Sequence, residues 1–369
     1  MSIEKNIFLT TKLNFNQKIR RYFDYSIAKY KAKRNFTKMY RMVYSKVPSY
    51  KKRDFNEREK KHIDYWKDFR GTVDLSTYRI SNNISKVADI RYVPEEIYIT
   101  DIEPTLNNYP FVKFLEVKNF YNKWFDEDVF PKNYFHKIDG EYFSDDLRSF
   151  KIVELNNIID NLQYPVVCKQ SVYSYGGRDV KFAKDKTQLL RFINAKQNVV
   201  VQEKLNPNEG FLKFSPVNTV RVCLYKSVTT NEIHILHMAL RMGRNGSLDN
   251  EGSGGIVSFI NDEGLLHGYA VDKYGRKFDK HPDTGSLFNS KIPDLDRLIN
   301  VSKKVCEKIP FARIISLDAW YDAKNNWRII EVNLFGQTIR FAQYAGRPFF
   351  GVFTDEVKEF SSNHHWAFA

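Results

Sequence analysis

Cysteine is scarce: the chain has three, Cys168, Cys223 and Cys306, odd in number and scattered. That excludes a disulfide framework and a zinc knuckle, which need paired or clustered thiols, and leaves buried, reduced thiols as the expectation. Long apolar runs are missing as well. No stretch approaches the ~20 residues that cross a bilayer, and the opening MSIEKNIFLTTK has no apolar core of the secretory kind. A cytoplasmic protein is expected. Neither GxxxxGK[ST] nor GxGxxG occurs, which sets aside the two commonest phosphate-binding loops. There is no internal repeat and no low-complexity segment.

What is present is a 369-residue chain, 42% hydrophobic and 15% aromatic, enough for two or three structural units with a bulky core. Its net charge of +14 is uneven. Residues 1–61 hold 18 Lys or Arg against 5 Asp or Glu, a balance of +13, and the remainder holds 40 against 39, a balance of +1. A localised basic segment is a footprint for an anionic partner. An anionic membrane, an acidic glycan and nucleic acid all qualify, the last disfavoured because no RNA- or DNA-reading motif accompanies the charge. The bland alternative is a solvated helical face or a structural cap.

Periodicity predicts a helix over residues 14–48, with Ile19, Phe23, Ile27 and Tyr30 on one stripe. A second helix is expected over 54–70, opening at Asp54. RYVPEEIYI in the proline-punctuated stretch 88–110 reads as extended, and 111–126 and 150–162 read as helices. From residue 164 strands and helices alternate: YPVVCKQ, KTQLLRFINAK, NVVVQEKL, then a hairpin of VRVCLYKSV and EIHILHMALRM turning at Thr229-Thr230-Asn231. A glycine-rich loop (243–255), an amphipathic helix (294–309) and a final hairpin follow. His234 and His237 are expected on opposite faces of their strand and outside any site.

The final hairpin carries the sharpest chemistry. Pairing Asp322 with Trp327 across Ala323-Lys324-Asn325-Asn326 sets Asp318 opposite Glu331, and alternation puts Asn333 on the Glu331 face. Opposed side chains have Cβ atoms ~5 Å apart, where like charges repel. Two carboxylates and an amide oxygen on one face therefore ask for a cation, and Mg²⁺ suits such an oxygen set. The competing reading is a solvated face with unrelated acids, against which stand Ile329, Ile330 and Val332.

Three weaker signals precede it. In VVCKQSVYSYGGRDV a strand presents Lys169 ahead of a loop from Ser171 to Gly177, where Gly176 and Gly177 let backbone N–H groups approach phosphate. A plain hairpin turn is the default there. VVVQEKL ends in Gln202-Glu203-Lys204-Leu205, a strand end able to meet an adenine edge. Arg221 is a lone cation in the apolar strand VNTVRVCLY; a buried Arg needs a partner, either a phosphoryl or carboxylate group or a structural ion pair.

Taken in order, Lys with a glycine loop, a Gln-Glu strand end, a strand Arg and Asp…Glu-x-Asn resemble the ATP-grasp superfamily. NTVRV, DNEGSGGIVSFIND, HPDTGSLF, IPDLDRL and LDAWYDAKNNWRIIEVN, with RYVPEEIY and VKNFYNKWF upstream, are similar to its sugar-transfer-associated branch, found in surface-polysaccharide biosynthesis. The resemblance covers residues 60–350 and implies an α+β fold whose two lobes clasp ATP behind a basic helical N-terminal region. The implied division is 1–85, a connecting region 86–163, a small lobe 164–210 and a large lobe 211–355.

The resemblance also implies roles. Lys169 and Lys118 would hold phosphates, although Val117 stands where the family usually has Asp. Ser171, Ser174, Gly176 and Gly177 would close over the γ-phosphate. Gln202, Glu203 and Leu205 would sit at adenine, and Arg221 would stabilise an acylphosphate. Asp318, Glu331 and Asn333 would bind Mg²⁺. Asn250, Gly254, Gly255, His281 and Arg340 would line the substrate side. The implied activity is ATP-dependent ligation of an amino acid or other amine to a carboxylate-bearing sugar or polysaccharide, in the cytoplasm or peripheral to the inner membrane. An ATP-dependent phosphotransferase and a non-catalytic binding protein are the alternatives.

Overall fold

Side-chain caps open the N-terminal helices. The computed structural model describes residues 2–51, 54–107, 109–125, 129–172, 180–215, 217–245 and 254–368. Helix α1 (Ile3–Leu9) leads into the long α2 (Phe15–Lys46), where the Asn14 side chain accepts from the Gln17 N–H and Gln17 returns to the Asn14 N–H. This reciprocal capping box satisfies donors that a bare helix end leaves orphaned. Asn56 and Glu59 repeat it at α3 (Glu57–Trp66), so Asn56 rather than Asp54 starts that helix.

The period expected for α2 holds, but its face is reversed. Phe23, Ile27 and Tyr30 point to solvent, while Tyr25, Ala32, Tyr40 and Val43 are buried. The two tyrosines can go inward because their hydroxyls find partners there: Tyr25 donates to Asp101 at 2.7 Å, and Tyr40 pairs with Thr77 at 2.6 Å. Fully buried Asp101 also takes Arg70 at 3.3 Å and His365 at 3.1 Å. One carboxylate thus fastens α2 to the C-terminal end of the chain. Residues 1–85 are a layer of the core rather than a separable arm.

The segment read as extended near residue 95 is helical: Glu95–Ile97, a π-turn over Tyr98–Ile102, then Glu103–Leu106. Pro94 and Pro104 open helical turns instead of breaking them, which proline tolerates in a first turn. The single helix expected over 111–126 is instead short turns, Lys113–Glu116, Lys118–Phe120 and Tyr121–Trp124.

Two antiparallel sheets follow. The smaller has the order β2-β1-β5-β3-β4, with β1 Asn133–Ile138, β2 Glu141–Ser144, β3 Val166–Gln170, β4 Val180–Ala183 and β5 Val199–Gln202. It starts before residue 164, because β1 and β2 form a hairpin inside the stretch read as a connection. Asp139 and Gly140 turn it with φ of 50° and 90°, the Asp-Gly pattern that suits a tight hairpin. The helices Ile152–Asp160 and Lys186–Asn194 pack on this sheet through Leu155, Ile159, Leu189 and Ile193.

The larger sheet has the order β10-β9-β8-β7-β6-β11-β12. Its strands are β6 Asn218–Lys226, β7 Ile233–Met242, β8 Ile256–Ile260, β9 Leu266–Val271, β10 Lys277–Phe278, β11 Ile314–Tyr321 and β12 Trp327–Asn333. One face (Val220, Val222, Leu240, Leu317, Ile329) covers the helix Leu295–Glu307 through Leu298 and Val305. The other (Tyr225, Ala239, Val257, Ile314) packs on the N-terminal helices and the C-terminal residues Phe349 and Phe350. Both faces are apolar, so a charged side chain inside this sheet needs a built partner.

Candidate active site

The last hairpin is where those partners are. Asp318 on β11 stands opposite Glu331 on β12, as expected, but by a different route. Tyr321, not Asp322, pairs with Trp327, and a bulge at Ile330 restores the register before Asp318. Asp322 instead accepts from the Lys324 and Asn326 N–H groups and folds the turn, which Asp does readily.

The repulsion between Asp318 and Glu331 is relieved by the chain's own cations. Arg221 on β6 grips Asp318 through Nε at 2.7 Å and Nη2 at 2.8 Å, and Arg241 on β7 adds Nη1 at 2.9 Å. Burial pushes this carboxyl up, but the two guanidiniums outweigh it and hold it well below the usual range. Lys118, from its short turn, lies 2.8 Å from Glu331. Lys169 reaches across from β3 to the Ile330 carbonyl at 3.4 Å. Burial pushes Lys169 down to about 8 against the opposing pull of Glu331.

Four cations from four strands and turns thus surround Asp318 and Glu331, between the two sheets. Such an excess of fixed positive charge in a sheltered place suits a polyanion such as a phosphate chain. The inference from opposed acids to a metal is corrected in one respect: the opposed charges do not by themselves demand an ion. The donor set still fits one. Asp318 carries three N–H bonds where a carboxylate offers about four lone-pair sites, and Asn333 brings an amide oxygen beside a buried nitrogen that, as a donor with no partner, asks for a phosphate oxygen rather than a cation. Among the described residues no three His, Cys, Asp or Glu side chains group for a metal, so Asn333 and phosphate oxygens would have to complete any Mg²⁺ shell.

The other expected residues are spread out. Ser171 is buried at the end of β3, its carbonyl accepting from the Lys118 N–H at 3.3 Å and its Oγ without a partner. Gln202 donates to Asn133 at 2.8 Å, and Glu203 accepts from the Lys132 N–H at 2.8 Å, so both side chains are committed locally. Leu205 follows, part-buried. Gly254, with φ +109°, and buried Gly255 lead into β8. Ser174, Gly176, Gly177 and Asn250 lie outside the described residues.

Two substrate-side expectations meet different surroundings. His281 is buried and holds its own loop, Nε2 lying 3.0 Å from the Gly243 carbonyl and Nδ1 accepting from the Asp283 N–H at 3.3 Å. Arg340 is paired with Glu95 at 2.8 Å, on the side of the N-terminal helices. Its neighbours Thr338, Phe341 and Ala342 line a small cavity with Arg221, Arg241 and His237. His237 and His234 share one face, against Phe349 and Phe353, because the β6–β7 pairing slips between Cys223 and Leu224.

Sequence reasoning missed Arg241 and Glu116. Arg241 shows the same signal as Arg221, a lone cation in an apolar strand. Glu116 accepts from the Leu334 N–H at 2.7 Å, and burial raises its pKa; nothing local marks it.

Residues 186–354, a little under half of the chain, match the model of the sugar-transfer associated ATP-grasp family. No curated protein matches the sequence. Similar solved structures include an N5-carboxyaminoimidazole synthetase from Staphylococcus aureus complexed with ADP (11% identity, TM-score 0.43, 68% of this chain and 54% of that one). Another is D-alanyl-alanine synthetase A from Vibrio cholerae (10%, 0.42, 67% and 64%). A third is a D-Ala:D-Ser ligase from Enterococcus faecalis (12%, 0.40, 67% and 61%). The chain spans less than two thirds of each.

Proposed function

We propose that this protein is an ATP-dependent carboxylate–amine ligase. The observation that carries the reading is the convergence of Lys118, Lys169, Arg221 and Arg241 on Asp318 and Glu331, the last four of these residues lying in the stretch that matches an ATP-grasp family model. A carboxylate is a poor electrophile, and phosphorylation turns it into a mixed anhydride that an amine attacks. The protein's part is to align the reactants and neutralise charge growing on the phosphoryl oxygens. Lys118 and Lys169 would hold phosphates, and Arg221 and Arg241 would neutralise the transferred group. Glu331 and Asn333, with the free lone pair of Asp318, would hold Mg²⁺, which when bound screens the phosphate oxygens from one another.

The matched family's description names sugar transfer, which supports as substrates an amino acid or other amine and a uronic-acid-type sugar of a surface polysaccharide, joined as an amide at the cytoplasmic side of the membrane. The test is ADP release across a panel of amines and uronic-acid acceptors, with products weighed by mass spectrometry. An amide product that needs both substrates supports the reading. A phosphorylated sugar formed without amine would make the protein a phosphotransferase, and no turnover with any pair would favour a binding role.

A further inference from the structure

Among the described residues nothing covers the outward stripe of α2. Phe15, Phe23, Ile27 and Tyr30 are 71%, 59%, 51% and 68% exposed, and Phe8 and Leu9 at the end of α1 are 46% and 58% exposed. The patch is continuous, since the Phe8 ring lies 5.5 Å from Tyr22, and Tyr22 lies 6.1 Å from Phe23. Scattered apolar residues on a surface are ordinary, but a contiguous row on one helix face marks a surface that is covered in use. The same three- and four-residue steps continue past Tyr30 to Arg34, Lys38 and Arg41, all exposed. Along its length α2 has ten Lys or Arg and a single acid, Asp24.

We infer that this face of α1 and α2 docks on an anionic lipid bilayer. The half from Phe8 to Tyr30 enters the boundary between headgroups and acyl chains, and the half from Arg34 to Arg41 meets lipid phosphates. A helix lying in the interface needs an apolar face beside a basic one, and no spanning length; among the described residues no helix could cross a membrane. The apolar row from Phe15 to Tyr30 is about 22 Å long at the helical rise, far more than one anchoring side chain provides. Its back is already fixed by Tyr25, Tyr40 and Val43, so binding orders no new helix and carries little entropic cost.

Charge selects this occupant. A second copy would bring ten more cations against the same face, and like charge opposes that pairing. Nucleic acid would use the cations but leave Leu9 and Ile27 in water. An anionic bilayer satisfies both halves.

The test uses the full chain and co-sedimentation with two vesicle types, phosphatidylcholine alone and equal parts phosphatidylcholine and phosphatidylglycerol. Binding is expected only to the anionic vesicles, and it should weaken as salt rises. Phe23→Asp with Ile27→Asp should lower affinity on the order of a hundredfold, and Arg34→Glu with Lys38→Glu at least about tenfold. All four side chains are exposed, so melting temperature should hold. Phe23→Ser with Ile27→Ser keeps the readout should the acidic pair disturb α2. Equal binding to both vesicle types, no binding to either, or unchanged affinity in both variant pairs overturns the inference. So does a wild-type dimer in sedimentation velocity that Phe23→Asp with Ile27→Asp disperses, since the stripe would then belong to a second copy. No nucleotide enters the assay, so its outcome is independent of the ligase reading.

Discussion

Two regions of this molecule are strongly cationic, and they carry their charge in opposite ways. Around the last hairpin, Lys118, Lys169, Arg221 and Arg241 are held between sheets, each within reach of a named carboxylate or carbonyl. Along α2 most of the cations stand in water around an apolar row, although Lys29 is part-buried beside Glu4, and the ion pair on its exposed side, Arg20 with Asp24 at 3.8 Å, is a loose surface contact. The first arrangement fixes each charge in one geometry at the cost of desolvation. The second leaves charges mobile, screened and additive. A count of basic residues sees only the second, because in residues 62–369 basic and acidic side chains nearly cancel. The cleft was therefore invisible to composition although it holds the more consequential charges.

If the contrast is real, substitutions in the cleft are severe and individual, and those on α2 are small and cumulative. The largest effect is expected for Glu331→Gln. It removes the charge facing Lys118 and a proposed metal ligand, and ATP turnover should fall by at least about a hundredfold while circular dichroism is unchanged. A variant that kept most of its activity at saturating Mg²⁺ would remove Glu331 from the site.

Next comes Asp318→Asn. It leaves two guanidiniums without their buried counter-charge, and breaking a buried pair from one side costs about 3–5 kcal/mol. Urea unfolding should show most of that loss. A change under about 1 kcal/mol would mean that water already reaches the pair.

Lys169→Ala should weaken binding of a non-hydrolysable ATP analogue about tenfold or more, the worth of one charge-assisted hydrogen bond, read by calorimetry. The same residue gives a pH test on the nucleotide-free and metal-free protein. Its folded pKa of about 8 lies below the ordinary 10.5, so between those values the unfolded chain binds the extra proton. Stability from this group therefore rises with pH across that window. Lys169→Met should flatten the rise and stabilise the protein below pH 8.

The smallest effect belongs to α2. Lys31→Ala or Lys38→Ala should change stability by no more than about 0.5 kcal/mol, because neither side chain is buried. A larger loss would show that the exposed charges also hold the fold together.

Much of the fold was legible because its signals are local. The α2 period, the Thr229–Asn231 turn and the apolar strands each depend on residues a few positions apart. The Asp-Gly turn at 139–140 was equally local and went unread. Asp318 opposite Glu331 was expected for a reason that proved wrong: the turn pairing was one residue off, and a bulge at Ile330 corrected it.

What the sequence by itself determined is most of the elements from residue 164 onward and the kinds of chemistry, since periodicity and lone charges in apolar strands are properties of neighbouring residues. What only the tertiary structure decided is partnership. Asp318 meets Arg221 and Arg241 because β6 lies between β11 and β7, and Lys118 meets Glu331 across 213 positions of chain. Tyr25 goes inward while Phe23 stays out because Asp101 waits inside for a hydroxyl. An isolated α2 is apolar on one face and basic on others. Which face is buried depends on hydrogen-bond partners supplied by distant parts of the chain, and those exist only once it has folded.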